Sequence, residues 1–279
     1  MSTSNKIAAL PPLRDLVNQH GLQANKAFGQ NYLFDLNLTG KIARAAGDLS
    51  DHTVFEVGPG PGGLTRALLL ETNAPRVIAI EKDPRFIDAL QPLIEASDDR
   101  LSVIEGDALK TDPIALAPGP RAIIANLPYN VGTELLISWL HTPNEYTQFI
   151  LMFQREVAER IIAKQNTKAY GRLAVLAQNL CVADIVMNVP ASAFTPPPKV
   201  TSSVIRLRPK PDAHTVPIRE LEKITAAAFG QRRKMLRQSM KAYLPVLEAL
   251  NIDPQLRPED LSVQDFLKIA HKAVEMKNA

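Results

Sequence analysis

The sequence predicts a doubly wound α/β domain, in which helices cover both faces of a parallel sheet, followed by a small all-helical domain. Three observations indicate this fold class. Apolar segments of strand length alternate with helical segments between residues 53 and 153. A cluster of glycines directly follows the first of these strands. After a proline-rich stretch that ends near residue 211, apolar residues recur at helical spacing. The length of 279 residues suits one large and one small domain.

Two helices are expected before the sheet, over residues 11–20 and 37–46. Prolines suit the first turn of the earlier helix, and Gly21 suits its end. Asp35 or Asn37 would cap the later helix, because short polar side chains accept hydrogen bonds from the free amides of a first turn.

The strands of the first domain are nearly continuous apolar runs, which is typical of a parallel sheet buried on both faces. They are expected at residues 53–57, 76–80, 101–105, 121–125 and 148–153. Helices between them are expected at residues 64–70, 84–95 and 133–140. A further strand is expected at residues 200–207, before a linker marked by prolines. The predicted domains are therefore residues 1–212 and 213–279.

Composition favours a cytoplasmic protein. Cys181 is the single cysteine, so no disulfide can form within the chain, as expected in a reducing compartment. No apolar run approaches the ~20 residues of a membrane-spanning helix, and the N-terminus lacks the apolar core of a secretory signal. No group of His, Cys and carboxylate residues has the spacing of metal ligands. We therefore expect neither a membrane span nor a metal site.

Polar features that can bind a nucleoside follow three successive strands. Gly58 to Gly63 follow the first strand and open a helix, where glycines let a ligand approach the backbone amides. Glu81 ends the second strand, where a carboxylate can accept hydrogen bonds from two ribose hydroxyls. Asp107 follows the third strand and can accept from the exocyclic amine of adenine. Singly, each is a common turn or cap residue. Together they predict a nucleoside-binding edge, for a dinucleotide or for S-adenosylmethionine.

The segment Asn126-Leu127-Pro128-Tyr129 follows the fourth strand. Asn126 offers an acceptor oxygen and two donor hydrogens, and the proline favours an extended Leu127 whose carbonyl points away from any helix. Tyr129 offers a face on which a base can stack. The alternative is an ordinary turn. An amide and a carbonyl suit a neutral amine nucleophile, and no histidine lies at a strand end to assist hydride transfer. Cys181 is outside the strand-end loops, so methyl transfer to an exocyclic nitrogen is favoured over attack at a ring carbon.

Positive charge is concentrated between Lys199 and Lys241. This segment holds eleven Lys and Arg residues against three carboxylates, a net charge of +8, so the rest of a chain with +3 in total carries −5. Such an uneven distribution predicts contact with nucleic-acid phosphates, although a solvated helix face is the alternative. On a helix, residues three and four apart lie on one face, so cations at this spacing would gather there. The residues predicted to bind RNA are Lys199, Arg232, Arg233, Lys234 and Arg237.

Taken together, these motifs resemble the KsgA/RsmA family of small-subunit ribosomal RNA adenine dimethyltransferases. Four segments carry the resemblance: Phe28 to Leu33, Val54 to Gly60, Asn126 to Tyr129, and Phe194 to Ser202. The last matches the family's Phe-x-Pro-x-Pro-Lys-Val-x-Ser segment. Pro61 and Gly63 depart from the family, which usually has a bulkier residue among these glycines.

The resemblance implies a seven-stranded class I methyltransferase fold that uses S-adenosylmethionine. It implies that two adjacent adenosines, in a hairpin near the 3′ end of 16S RNA, each receive two methyl groups at N6. The substrate would be a nearly assembled small subunit, and the protein a monomer. The donor would contact Gln30, Asn31, Leu33, Gly58, Gly60, Glu81, Asp107 and Asn126. The residues expected at the target adenine are Asn126, Leu127, Pro128, Tyr129 and Phe194, with the ring between the two aromatics.

Three alternatives stay open at this point. A large-subunit adenine N6-methyltransferase that confers antibiotic resistance would share the fold and much of the motif set. A non-catalytic RNA-binding assembly factor could use the same scaffold, although the complete set Glu81, Asp107 and Asn126 speaks against it. A nicotinamide-dependent dehydrogenase is the weakest of the three.

Overall fold

The computed structural model describes residues 1–22, 31–231 and 233–279. These residues form two compact units, each built from separate stretches of the chain. The first unit comprises Met1–Ser138, Glu145–Arg155 and Ile185–Leu207. The second unit comprises Trp139–Asn144, Glu156–Asp184 and Arg208–Ala279.

Helices and strands alternate through most of the first 160 residues, as expected. The strands are β1 (Tyr32–Leu33), β2 (Thr53–Val57), β3 (Arg76–Glu81), β4 (Leu101–Glu105), β5 (Arg121–Asn126), β6 (Gln148–Gln154), β7 (Cys181–Val189), β8 (Phe194–Thr195) and β9 (Ser202–Pro209). The helices are α1 (Thr3–Ala8), α2 (Leu13–Gln19), α3 (Leu36–Arg44), α4 (Gly63–Glu71), α5 (Pro84–Ala96), α6 (Pro113–Leu116), α7 (Gly132–Trp139), α8 (Arg155–Ile161), α9 (Arg172–Leu180), α10 (Ile218–Gly230), α11 (Leu236–Ser239), α12 (Leu244–Ala249) and α13 (Val263–Asn278).

Seven strands form one sheet in the order β4-β3-β2-β5-β6-β9-β7, while β1 and β8 pair separately and antiparallel. The strands from β4 to β6 are parallel, whereas β9 runs antiparallel to β6. The sheet is therefore mixed, whereas the sequence predicted a wholly parallel sheet. Its order reverses between β2 and β5, and this reversal opens a crevice at the carboxyl ends of those strands. The doubly wound α/β fold class is confirmed.

The central strands are buried because their side chains are apolar on both faces of the sheet. In β5, the side chains of residues 122–125 are at most 1% exposed. Helix starts follow their capping residues: Asp35 accepts hydrogen bonds from the amides of Asn37 and Leu38 before α3, as one of the two expected caps. Asp83 does the same for Arg85 before α5. These local signals explain why the predicted helices and strands of the first unit are observed, whereas the sequence did not predict α1, α6, β1, β7 and β8.

The second unit includes chain that the predicted boundary at residue 212 assigns to the first domain. Helix α9 packs against α10 and α13. The Asn179 side chain donates a hydrogen bond to the Val263 carbonyl, and the Tyr170 hydroxyl donates to the Leu261 carbonyl. Segments distant in sequence thus share one core, which the composition change near residue 212 could not indicate. The functional division into residues 1–212 and 213–279 stays a prediction.

Candidate active site

A cavity of about 560 Å³ lies in the first unit at the carboxyl ends of β2, β3, β4 and β5. Its volume is within the usual range of small-molecule sites. Ten of the predicted site residues line it: Asn31, Leu33, Gly58, Gly60, Glu81, Asp107, Asn126, Leu127, Pro128 and Tyr129. The predicted donor contact Gln30 lies outside the described residues. The cavity wall also includes Tyr32 and Phe86, which the sequence did not single out, with ring centroids 5.8 Å apart.

The glycine loop after β2 requires its glycines. Gly58, Gly60 and Gly62 have φ angles of 66°, 53° and 85°, a region that side chains rarely adopt. A Cβ atom on Gly63 would lie 2.3 Å from the Leu33 carbonyl oxygen. The loop can therefore approach β1 closely, which gives a structural reason in this chain for the departure from the family at Gly63.

Glu81 is held firmly at the end of β3 and is 7% exposed. Its Oε1 accepts hydrogen bonds from the amides of Lys82 and Asp83, at 2.8 and 2.9 Å, and its Oε2 accepts from the Gly60 amide at 3.1 Å. Burial raises the pKa of the Glu81 carboxyl, against the effect of these donors. A carboxylate offers about four acceptor positions, so roughly one remains for a ribose hydroxyl, fewer than the two hydroxyls expected.

Asp107 carries a fixed negative charge at the neighbouring strand end. Its Oδ2 accepts from Lys82 Nζ at 2.9 Å, and its Oδ1 accepts from the Leu109 amide at 3.1 Å. The hydrogen bond from Lys82 is the main reason why the pKa of Asp107 is lowered. An ionised Asp107 at the cavity wall suits an exocyclic amine donor.

Glu56 is a site residue that the sequence analysis missed. It lies in β2, lines the cavity, and is 1% exposed. Burial, with a smaller contribution from the charge of Glu81, raises its pKa to about 8. Its Oε2 has no hydrogen-bond partner among the described residues. The sequence signal for it is an acidic residue among the apolar residues of 54–57, since a carboxyl rarely lies in a core without polar or charged partners.

Asn126 and Leu127 present two acceptors at the end of β5. The Asn126 Nδ2 lies 3.5 Å from the Asn31 carbonyl oxygen, a long hydrogen bond that directs the nitrogen toward β1. No hydrogen bond to Asn126 Oδ1 or to the Leu127 carbonyl is found among residues 1–22, 31–231 and 233–279. Both oxygens therefore remain available to donors of a ligand.

The two predicted aromatic partners of the base are placed differently. Tyr129 lines the cavity, and its hydroxyl lies 2.6 Å from Ser202 Oγ. Phe194 is 3% exposed, pairs with Leu33 between β8 and β1, and packs in the core of the first unit. It is not among the residues that line the cavity. The structure thus brings one aromatic to the site and keeps the other in the core, because a buried phenyl ring is stabilised by its apolar neighbours.

Among the described residues, the predicted RNA-binding cations do not share a helix face. Lys199 is exposed in the first unit, and Arg233, Lys234 and Arg237 are exposed in the second. Helix α10 ends at Gly230, and residues 233–235 are not helical. The one-face arrangement is wrong, because the helix ends where the sequence pattern continued. Arg232 lies outside the described residues.

Two other features are absent from the described residues: a membrane-spanning helix and a cluster of metal-binding side chains. No helix there has the length and apolarity needed to cross a bilayer. No group of three or more His, Cys, Asp or Glu side chains is arranged to hold a metal ion within the same residues.

Comparison with known proteins gives consistent matches. The family model for ribosomal RNA adenine dimethylase matches residues 21–274. A protein of Mesorhizobium japonicum named ribosomal RNA small subunit methyltransferase A is 55% identical over 276 residues, covering 95% of this chain and 99% of the relative. A protein of Rhizobium johnstonii with the same name is 56% identical over 268 residues, covering 94% and 97%.

Solved structures agree with these matches. A dimethyladenosine transferase from Plasmodium falciparum has a TM-score of 0.76 and 29% identity, covering 88% of this chain and 97% of that one. The 23S rRNA methyltransferase ErmE has a TM-score of 0.66 over 87% of this chain and 99% of that one, and at 23% identity it shows the fold alone. The predicted methyltransferase fold, enzyme class and methyl donor are confirmed. The chain belongs to the ribosomal RNA adenine dimethylase family.

Proposed function

We propose that this enzyme transfers methyl groups from S-adenosylmethionine to N6 of two adjacent adenosines in a hairpin near the 3′ end of 16S RNA, two methyl groups to each. The substrate is a small ribosomal subunit late in assembly, and the enzyme acts as a monomer in the cytoplasm. The observation that carries the proposal is a pair of acceptors that no described residue engages, Asn126 Oδ1 and the Leu127 carbonyl, in the lining of a cavity suited to a nucleoside.

The residues of the cavity fit the methyl donor. Glu81 retains acceptor capacity for a ribose hydroxyl, and the ionised Asp107 can accept from the adenine amine of the donor. The unpartnered Glu56 Oε2 suits a cationic group such as the donor's α-ammonium. When bound, S-adenosylmethionine would supply an electrophilic methyl group on a sulfonium, whose C–S bond breaks with its electron pair retained by the sulfur of the thioether that leaves.

The target adenine must leave its stack to reach this site. Its N6 lone pair is conjugated with the ring and is a poor nucleophile. Asn126 Oδ1 and the Leu127 carbonyl can accept the two N6 hydrogens, which favours a tetrahedral nitrogen whose lone pair is free to attack. No side-chain base is needed before attack, so positioning and electrostatics account for the catalysis. After one transfer the methylated nitrogen releases a proton to solvent and N6 keeps one hydrogen, which one acceptor can still hold during a second transfer.

Mass spectrometry of small-subunit RNA tests the proposal. RNA from cells that lack this gene should contain two unmodified adenosines where RNA from parent cells contains two dimethyladenosines. With labelled donor, purified enzyme should methylate undermethylated small subunits and leave naked large-subunit RNA unlabelled. Label in the large-subunit RNA alone would indicate the resistance type of enzyme, and donor binding without label in either RNA would indicate an assembly factor.

Replacement of Glu81 by glutamine should weaken donor binding. The neutral amide loses charge-assisted hydrogen bonds from three backbone amides, so the loop at Gly60 is held less firmly. We expect the Kd for S-adenosylmethionine to rise at least about tenfold, measured by calorimetry, since a hydrogen bond to a charged group is worth roughly 1.5–3 kcal/mol. Glu105→Gln, an exposed change at the neighbouring strand end, is the control and should leave the Kd unchanged.

The Tyr129 ring should matter more than its hydroxyl. Tyr129→Phe keeps a stacking face and removes the hydrogen bond with Ser202, so kcat/KM on small subunits should fall less than about fivefold. Tyr129→Ala removes a stacking interaction worth about 1–3 kcal/mol, and kcat/KM should fall roughly 10- to 100-fold. Equal decreases in the two variants would assign the effect to the hydroxyl and contradict a stacking role.

A further inference from the structure

The second unit holds an open, concave surface that none of the predicted site residues occupies. We name it the basic groove. Its volume is about 570 Å³, and it is lined by His141, Arg172, Arg219, Glu222, Lys223 and Ala226.

Glu222 is the single carboxylate among these lining residues, and it neutralises the basic groove incompletely. Its Oε1 lies 3.6 Å from an Arg172 nitrogen, and its Oε2 lies 3.3 Å from His141 Nε2. Arg219 is exposed and has no ion pair with any residue in the described part of the chain. The groove therefore presents a positive charge that its own carboxylate does not balance.

Lys223 adds a second cation that is only weakly engaged. Its Nζ lies 4.0 Å from Glu220 Oε2, and that oxygen already accepts a hydrogen bond from Lys277 at 2.7 Å. The Lys223 side chain is 67% exposed, so it is free to turn toward a ligand in the groove.

Two helix starts contribute to the same surface. Arg172 is the first residue of α9 and Arg219 is the second residue of α10, and these helices pack against each other. Neither Gly171 nor Pro217, the residues that precede the helices, provides a side-chain hydrogen bond to the first-turn amides. Cations in a first turn are unfavourable, because the amino end of a helix already carries partial positive charge. An anion bound in the groove would offset this unfavourable placement by pairing with the two guanidinium groups.

We propose that the basic groove binds backbone phosphates of the RNA substrate, at a place separate from the cavity that receives the target base. The inference rests on the proposed function for the identity of the anion. An open, shallow groove with several cations suits a phosphodiester chain that passes across it, and the guanidinium of Arg219, which pairs with no carboxylate of the described residues, is well suited to phosphate oxygens. Because these contacts read no base, the groove would add affinity and orientation without sequence preference.

The test is the double variant Arg219→Glu with Lys223→Glu, in the full-length protein. Binding to undermethylated small subunits should weaken roughly tenfold or more at 0.15 M salt. The slope of log K against log salt should become shallower by about 1.5, because each phosphate that the protein no longer neutralises reduces the slope by roughly 0.7–0.9. Affinity for S-adenosylmethionine should not change. The matched control is Lys268→Glu with Lys272→Glu on α13, which makes the same change of charge in the same unit at lysines already paired with carboxylates.

A variant that is expected to bind small subunits more tightly, and not more weakly, controls for a folding defect. Glu222→Gln removes the carboxylate that competes with phosphate, so affinity for small subunits should rise a few-fold. An unchanged affinity in the Arg219/Lys223 variant, or an equal decrease in the control, would overturn the proposal. The proposed function is tested separately: parent enzyme that binds subunits through the groove but transfers no methyl group would refute the function and retain the groove.

Discussion

Alanine in place of Asn126 is expected to abolish measurable methyl transfer while small-subunit binding persists. The variant lacks one of the two acceptors for the N6 hydrogens, and removal of one preorganised hydrogen-bonding group of an active site typically lowers kcat by about 10²–10³-fold. The fold should tolerate the change, because among the described residues the Asn126 side chain makes a single long hydrogen bond, to the Asn31 carbonyl. The measurement is transfer of labelled methyl groups to undermethylated small subunits, together with the affinity for those subunits.

Asn130→Ala is the matched control for this experiment. Asn130 is exposed and lines the same cavity four residues later, beyond Pro128 and Tyr129, so the variant changes the same side-chain type near the site. It should keep most of the activity. Equal activity of Asn126→Ala and the parent enzyme would remove Asn126 from the chemical step, whatever its position at the strand end.

The sequence could predict the donor side of this cavity because parallel strands bring their carboxyl ends to one edge. Glu81, Asp107 and Asn126 are far apart in the sequence, yet each directly ends or follows an apolar strand. Recognising the strands was therefore enough to place the three side chains together. Glu56 could not be predicted in this way, because it lies within β2 and not at a strand end.

Features that depend on long-range packing could not be predicted from the sequence. Phe194 belongs to the core because β8 pairs with β1, more than 150 residues earlier in the chain. Helix α9 joins α13 through contacts such as the hydrogen bond from Asn179 to the Val263 carbonyl, which no local sequence pattern predicts. The cation cluster after Gly230 looked helical by spacing, but the helix ends at that glycine, whose backbone freedom disfavours continuation.

Glu56→Gln is expected to stabilise the protein in alkaline solution and to change its stability little in acid. The Glu56 carboxyl is fully buried, and burial raises its pKa to about 8 from an ordinary value of 4.5. Glutamine has a similar shape and no charge, so it removes the energetic cost of ionising a carboxyl in a dry environment. The donor is omitted from the measurement, since a cationic ligand in the cavity would favour the ionised carboxylate.

The sign of the effect follows from the protons bound by each state. Below about pH 4.5 the carboxyl is protonated in both the folded and the unfolded protein, and the parent shows no penalty. Between about pH 4.5 and 8 the unfolded chain has released a proton that the folded protein keeps, so the free energy of unfolding falls as pH rises. Above about pH 8 both states are ionised and the penalty is constant. At about 1.4 kcal/mol per pH unit the full penalty is at most about 5 kcal/mol.

Urea unfolding at pH 5, 7 and 9 measures this difference directly. The advantage of Glu56→Gln over the parent should grow from pH 5 to pH 9, whereas Glu105→Gln, which removes an exposed carboxyl from β4, should follow the parent at every pH. Parallel curves for Glu56→Gln and the parent would show that the carboxyl is already ionised at low cost in the folded protein. Growth of the advantage would mean that the donor-free protein keeps an unfavourable carboxyl at the cavity wall.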